Sequence, residues 1–273
     1  MHVLFIGDVV GEPGFRAIAT YLPHLVSKYD VELVIANAEN IADGNGVTRS
    51  TANALFEHGV DVLTNGNHAW DKKEALDYIK SEPRLLRPHN YPAGTPGSGW
   101  CIFTTKHGHK VGILNLLGNL FMPGDLACPF ATALQALEQK PEDVKVIIVD
   151  VHAEVASEKI GMGWYLDGKV SAVVGTHTHV PTADERILPK GTGYITDVGM
   201  SGCYDSIVGL DTQKMLNRLI DKQPESMSVA EGKATLCAVM LDIDEISGRC
   251  REIFRLRVAE SDMDSGMDEL RLV

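Results

Sequence analysis

The sequence predicts an α/β fold, and three observations carry the prediction. Short apolar runs rich in β-branched residues, among them Val31 to Ala36, Val144 to Val149 and Val170 to Val174, alternate with stretches whose apolar residues recur at helical spacing. The first run, His2 to Ile6, passes through the turn Gly7-Asp8-Val9-Val10-Gly11 into a helix, which is how a βαβ unit opens. The chain has 273 residues, 44% hydrophobic and 23% charged, the size and composition of one large α/β domain. We expect that domain over residues 1–258, followed by an acidic, Met-bearing tail over 259–273 with little order.

The elements follow in order. Phe15, Ile18, Ala19, Leu22, Leu25 and Val26 mark the first helix, with a kink expected at Pro23. Glycines at 7, 11 and 14 do not make a dinucleotide-binding fingerprint. The strand Val31 to Ala36 runs into Asn37-Ala38-Glu39-Asn40 and a glycine-rich loop, after which Thr48 can N-cap a helix ending at Gly59. The strand Val60 to Leu63 ends in Thr64-Asn65-Gly66-Asn67-His68, where Asn-Gly marks a tight turn, and a helix is expected from about Asp71 to Lys80. Arg84 to Trp100 reads as an extended arm, with Arg87 and His89 in solvent. Trp100 to Thr105 and Lys110 to Leu114 read as a hairpin turning at His107-Gly108-His109, a solvated tip flanked by Lys106 and Lys110. A loop from Asn115 to Pro129, a helix from Phe130 to Gln139, the strand Val144 to Val149, a helix from Ala156 to Trp164 and the strand Val170 to Val174 come next. Short strands at 186–188 and 193–196, a loop from Asp197 to Gly202 and a helix from Asp211 to Asp221 lead to two long alternating strands. These are Ala234 to Ile243 and Arg249 to Val258, with Arg251, Arg255 and Arg257 facing outward.

Charge and cysteine usage narrow the function classes. A net charge of -12 works against binding a nucleic-acid polymer, where Lys and Arg must replace counterions along the phosphates. It is compatible with a small anionic substrate if bound cations supply local positive charge. Five cysteines, an odd number with no pair at zinc-ribbon spacing, fit reduced thiols in a cytoplasmic protein. The start Met1-His2-Val3-Leu4-Phe5-Ile6 reads as a core strand with no basic leader, and no run approaches the ~20 apolar residues of a membrane span. A homo-oligomer is compatible with the sequence, but nothing in it argues for one.

One feature recurs at five strand ends: Asp8, Glu39 with Asn40, Asn67 with His68, His152, and His177 with His179. Sites in α/β sheets form outside the carboxyl ends of strands. Any one of these residues alone could be a cap or a surface polar group, but capping does not place carboxylate, carboxamide and imidazole at five strand ends. Oxygen and nitrogen donors without thiolate suit iron, manganese, cobalt or zinc. Seven candidate ligands are too many for one tetrahedral ion and fit two ions ~3.5–4 Å apart that share a carboxylate.

The series Gly7-Asp8, Glu39-Asn40, Gly66-Asn67-His68, His152 and Gly175-x-His177-x-His179 resembles the calcineurin-like metallophosphoesterases. It departs from them in two places: no His follows Asp8, and Glu39 stands where an Asp is usual. With Asn65-Gly66-Asn67-His68-Ala69-Trp70-Asp71, Leu86-Arg87-Pro88 and His177-Thr178-His179-Val180-Pro181, the chain is similar to the YmdB-like bacterial branch. The resemblance implies a four-layer α/β/β/α sandwich. It also implies a phosphodiesterase that opens cyclic nucleotides, 2′,3′-cyclic and also 3′,5′-cyclic, with two iron or manganese ions and a hydroxide between them attacking phosphorus. By position, Glu39 would bridge the metals, Asp8, Asn40 and His179 would complete one site, and Asn67, His152 and His177 the other. Asn40 would replace the missing His, and His68 would be the general acid. The same residues would serve a phosphomonoesterase or nucleotidase. A regulatory protein with structural metals is the remaining alternative, although it would have no need of His68.

Overall fold

The computed structural model describes residues 1–222 and 226–260. In chain order the elements are β1 His2–Ile6, β2 Asp8–Val9, α1 Gly11–Tyr29, β3 Val31–Asn37, α2 Arg49–Glu57, β4 Val62–Thr64 and α3 Ala75–Tyr78. Then come β5 Trp100–Thr104, β6 Lys110–Leu117, α4 Pro129–Glu138, β7 Val146–His152, α5 Ala156–Leu166 and β8 Ala172–Thr176. The last are β9 Arg186–Ile187, β10 Gly193–Ile195, β11 Met200–Cys203, α6 Thr212–Asp221, β12 Ala234–Ile243 and β13 Cys250–Ala259.

Two sheets form. The first runs β2-β11-β12-β1-β3-β4, with β13 on the other side of β12; the second runs β5-β6-β7-β8-β10-β9. In the first, β1, β3 and β4 are parallel while β12 is antiparallel to β1. In the second, β6, β7, β8 and β10 are parallel and the edges β5 and β9 antiparallel. Strand alternation then divides the apolar residues among three cores. Leu4, Ile6, Val34 and Ala36 pack on Ile18, Leu22 and Leu25 of α1 and on Leu55 of α2. Val3, Phe5, Leu33 and Ile35 face Ile113, Ile148 and Val174 across the space between the sheets. Ile147, Val149 and Val173 pack on Ala133 of α4 and on Met162 and Leu166 of α5. Three cores separate four layers, helix/sheet/sheet/helix, as the resemblance implied.

Several local expectations change. Helix α1 continues through Pro23, which lies on its exposed face. The helix expected over Asp71 to Lys80 shrinks to the single turn α3, because the chain from His68 onward is built of successive i to i+3 turns. Strands β6 and β7 run further than expected, to Leu117 and His152. The supposed loop at Asp197 to Gly202 contains β11, which pairs with both Asp8–Val9 and β12. Thr48 caps α2 through a reciprocal capping box with Thr51, as predicted. Arg87 is buried, not solvated, and its guanidinium donates to the carbonyls of Pro88, Thr95 and Pro96 to fold the arm on itself. His109 is half-buried and pairs with Glu32 at 2.9 Å, while His107 stays exposed. Strand β13 includes Ala259, and the tail from residue 261 onward lies outside the described residues. No helix of the described residues is long and apolar enough to cross a membrane.

A candidate metal centre at the strand ends

The carboxyl ends of β1, β3 and β4 in the first sheet meet those of β7 and β8 in the second. Buried Asp150 of β7 joins them: it accepts from Thr64 Oγ1 of β4 at 2.5 Å, Thr176 Oγ1 of β8 at 2.7 Å and Asn37 Nδ2 of β3 at 3.3 Å. Those bonds let a carboxylate sit inside an otherwise apolar strand. Gly66 is required at this junction. A Cβ there would lie 2.1 Å from the His152 ring and 2.5 Å from Glu39 Oε2.

The eight predicted residues come together here, six of them joined by close polar contacts and Asn40 with His179 as a pair that lines the same cleft. His152 Nε2 lies 2.9 Å from Glu39 Oε1, 3.2 Å from Asn67 Oδ1 and 3.0 Å from His177 Nδ1. His179 Nε2 lies 3.3 Å from Asn40 Oδ1. Asp8 Oδ2 accepts the His177 backbone N–H, and Glu39 Oε2 accepts that of His68. Glu39, His152 and His177 alone form a group that could hold a metal ion.

The outer hydrogen bonds fix the imidazole protons. Thr176 Oγ1 donates to Asp150, so it accepts from His152 Nδ1 at 2.9 Å. His177 Nε2 donates to Glu154 at 3.0 Å, and His179 Nδ1 donates to the Val208 carbonyl at 2.8 Å. Asn40 Nδ2 donates to the Gly44 carbonyl, which turns its Oδ1 inward. The atoms left facing inward are His152 Nε2, His177 Nδ1, His179 Nε2 and the amide and carboxylate oxygens, nearly all of them acceptors. Asp8 Oδ1 is buried and has no hydrogen-bond partner among the described residues. Lone pairs crowded around the one proton on His152 Nε2 fit a cation in its place, and outer partners that orient ligating imidazoles are what metal sites require. The residues present therefore fit a metal centre.

Electrostatics agree. Burial works to raise the Glu39 carboxyl, but the charge and hydrogen bond of His152 overcome it and hold Glu39 at about 2. Burial works to lower His152, yet Glu39, Asp8 and Asp150 lift it to about 9. Burial and neighbouring His152 push His177 down to about 3, so it is neutral. Burial raises Asp8, and raises Asp150 to about 6. One proton on His152 thus occupies the place a cation would take.

The loop that presents His177 and His179 is strained: their φ values are +104° and +65°. Asp197 holds it down. Its carboxylate accepts from the Thr178 N–H and Oγ1, and from Lys159 Nζ at 2.6 Å, in an ion pair where both side chains are 1% exposed. Beside the loop lies a cleft of about 350 Å³, lined by the polar groups Glu39, Asn40, His68, His177 and His179 and by the apolar side chains Val10, Val208 and Leu210. His68 Nδ1 is 2.8 Å from Asp71, whose carboxylate also accepts from Asn45.

Sequence reading missed the residues that support this set: Asp71, Asp150, Glu154 and Asp197. Asp150 and Asp197 carry the same signal as Asp8, an acidic residue at or just beyond the end of an apolar run. Asp71 and Glu154 lie three and two residues beyond His68 and His152. Their partners come from other elements, so spacing alone does not separate them from caps.

Comparison with known proteins agrees with this architecture. Residues 4–256 match the profile of the YmdB-like protein family. The chain is 46% identical over 263 residues to the 2′,3′-cyclic-nucleotide 2′-phosphodiesterase of Bacillus subtilis, covering 96% of this chain and 99% of that one. A crystal structure described as a hypothetical protein from Thermus thermophilus superposes with a TM-score of 0.89 at 44% identity, over 95% of this chain and 100% of the other. One described as a novel phosphatase from Mycoplasma pneumoniae gives 0.89 at 33% identity, over 99% of each. A profile match and close relatives that run almost end to end place this chain in the YmdB-like protein family.

Proposed function

We propose that the protein is a metal-dependent phosphodiesterase that hydrolyses nucleoside 2′,3′-cyclic phosphates and also acts on 3′,5′-cyclic ones. The observation that carries the reading is the set of carboxylate, amide and imidazole groups gathered from five strand ends, with Glu39, His152 and His177 close enough to share a metal ion and an Asp8 oxygen that has no hydrogen bond. The activity named for the Bacillus relative supplies the substrate class. In this reading Glu39 would be shared between two ions, iron or manganese. Asp8, Asn40 and His179 would hold one, and Asn67, His152 and His177 the other. When bound, the ions neutralise phosphoryl oxygens and make water a nucleophile near neutral pH.

The chain's own groups do the rest. His68 is fixed from both sides, its backbone N–H on Glu39 and its Nδ1 on Asp71. That leaves Nε2 as the nitrogen free to exchange a proton at the cleft, where a departing ribose oxygen needs one. Asp150 and Asp197 hold the two sheets and the His177–His179 loop in register, so the acceptors do not rearrange when charge builds on phosphorus. The free thiols of all five cysteines suit a cytoplasmic setting.

The test is turnover of 2′,3′-cAMP, 3′,5′-cAMP and p-nitrophenyl phosphate by Mn²⁺- or Fe²⁺-loaded protein, beside His68→Ala. Turnover of the cyclic diesters that drops at least about a hundredfold in His68→Ala at equal metal content is expected. Turnover of the monoester alone would replace the reading by a phosphomonoesterase. Bound metal with no turnover would leave a regulatory role.

A further inference from the structure

The apolar side of the cleft contains a residue that its own backbone disfavours. Val208 is the first central residue of the turn Ile207-Val208-Gly209-Leu210. The Ile207 N–H donates to the Leu210 carbonyl at 3.1 Å and the Leu210 N–H to the Ile207 carbonyl at 3.0 Å. Val208 and Gly209 have φ of +50° and +90°. In a two-residue turn with both central residues left-handed, Asn-Gly or Asp-Gly is the favoured pair, because a branched Cβ crowds the backbone there. Valine is among the least suited residues for that position.

Core packing does not explain it, since Val208 is 39% exposed and lines the cleft. Its carbonyl, which accepts from His179 Nδ1, does not explain it either: every residue type has that carbonyl. The turn is tied down on its other side: the Gly209 N–H donates to Ser206 Oγ at 2.9 Å and its carbonyl accepts from the Ala230 N–H at 2.9 Å. The side chain thus lines the cleft with Leu210, in the same cavity as His68 and His177. A strained residue kept at a site is a pointer to function.

We propose that Val208, with Leu210, is the face against which the nucleobase of the substrate lies, so that this turn sets the preference for nucleoside diesters over baseless ones. The assignment rests on the phosphodiesterase reading above. The polar side of the cleft takes the phosphate and the apolar turn takes the flat, weakly hydrated base. Apolar contact of this kind adds affinity without favouring one base strongly.

The experiment compares kcat/KM for 2′,3′-cAMP with kcat/KM for glycerol 1,2-cyclic phosphate, which has the same five-membered diester and no base. It uses wild type, Val208→Asn and Val208→Gly, two variants the turn prefers. We expect the ratio to fall about tenfold in both variants, carried by KM for the nucleotide, with Tm unchanged or raised. A ratio within twofold of wild type overturns the assignment. So does an equal fall on both diesters, which would mean that Val208 acts through His179. Wild type inactive on both diesters overturns the phosphodiesterase reading itself, and the assignment with it. Wild type active on both, with variants that keep its ratio, overturns the assignment alone.

Discussion

The chain carries His-x-His twice, at 107–109 and at 177–179. At the first, β5 and β6 deliver the pair to the tip of an antiparallel hairpin, and Gly108 takes the left-handed turn position at φ +86°. The two rings sit 6.4 Å apart, with His109 bound sideways to Glu32 and His107 in water. At the second, a parallel strand buried on both faces delivers the pair to the carboxyl edge, and the histidines themselves take the left-handed angles. There the rings diverge: His177 turns to His152 and His179 to Asn40. The motif's meaning therefore lies in what delivers it. At the hairpin tip the pair meets a single outside carboxylate, Glu32 of β3, whereas the edge of a parallel sheet gathers the ends of several strands at one place.

Several experiments would break or sharpen that contrast. The largest effect is expected from His177→Ala, which should cost at least about a hundredfold in diester turnover and lower the bound metal, measured by elemental analysis. The double variant His107→Ala/His109→Ala should stay within about twofold of wild type on both counts. A comparable loss in the hairpin variant would show that the tip belongs to the site. Next, Asp197→Asn removes the anchor of the strained loop and leaves Lys159 buried without its charge partner. It should cost about 3–5 kcal/mol in chemical denaturation and weaken metal binding about 10–100-fold. A variant with normal metal affinity would mean that the loop holds its shape unaided.

Asp71→Asn should slow hydrolysis of 2′,3′-cAMP by roughly tens of fold, with a smaller loss on p-nitrophenyl esters, whose leaving group needs no proton. Equal losses on both would count against His68 as the proton donor. Metal affinity should also depend on pH. With His152 at about 9, a cation must displace its proton, so the apparent Kd for Mn²⁺ should fall about tenfold from pH 7 to pH 8. The same raised value sets a stability trend in chelator-treated protein. The contribution of His152 is complete below its unfolded value of 6.5 and is lost as pH rises through 9, so Tm should decline over that window. The depressed Glu39 acts at the other end: its contribution is complete above 4.5 and lost as pH falls toward 2. A flat Kd between pH 7 and 8 would place the proton elsewhere. The smallest effect is expected for Gly108→Ala. An added Cβ meets nothing within 4 Å there, so only the left-handed angle is lost, about 1 kcal/mol with no change in turnover.

Sequence by itself determined the α/β class and most strands, and it placed all eight candidate residues at strand ends, because these depend on short-range rules. Two-sided burial makes a strand such as Val146–His152 read as an apolar run, and a parallel strand leaves its polar residues at the carboxyl end. It also placed Thr48 as a cap, since capping is local. Only the tertiary structure decided what depends on partners distant in the chain. It showed that Asp150 can be buried because Thr64, Thr176 and Asn37 surround it, and that Arg87 folds into its own arm. Asp8–Val9 counts as a strand only because Met200–Cys203 lies beside it. The tertiary structure also assigned each imidazole proton, through Asp150 by way of Thr176, through Glu154 and through the Val208 carbonyl. Hydrogen bonds and charge act through space, so the residues that orient a site leave no periodic mark in the chain that folds to bring them together.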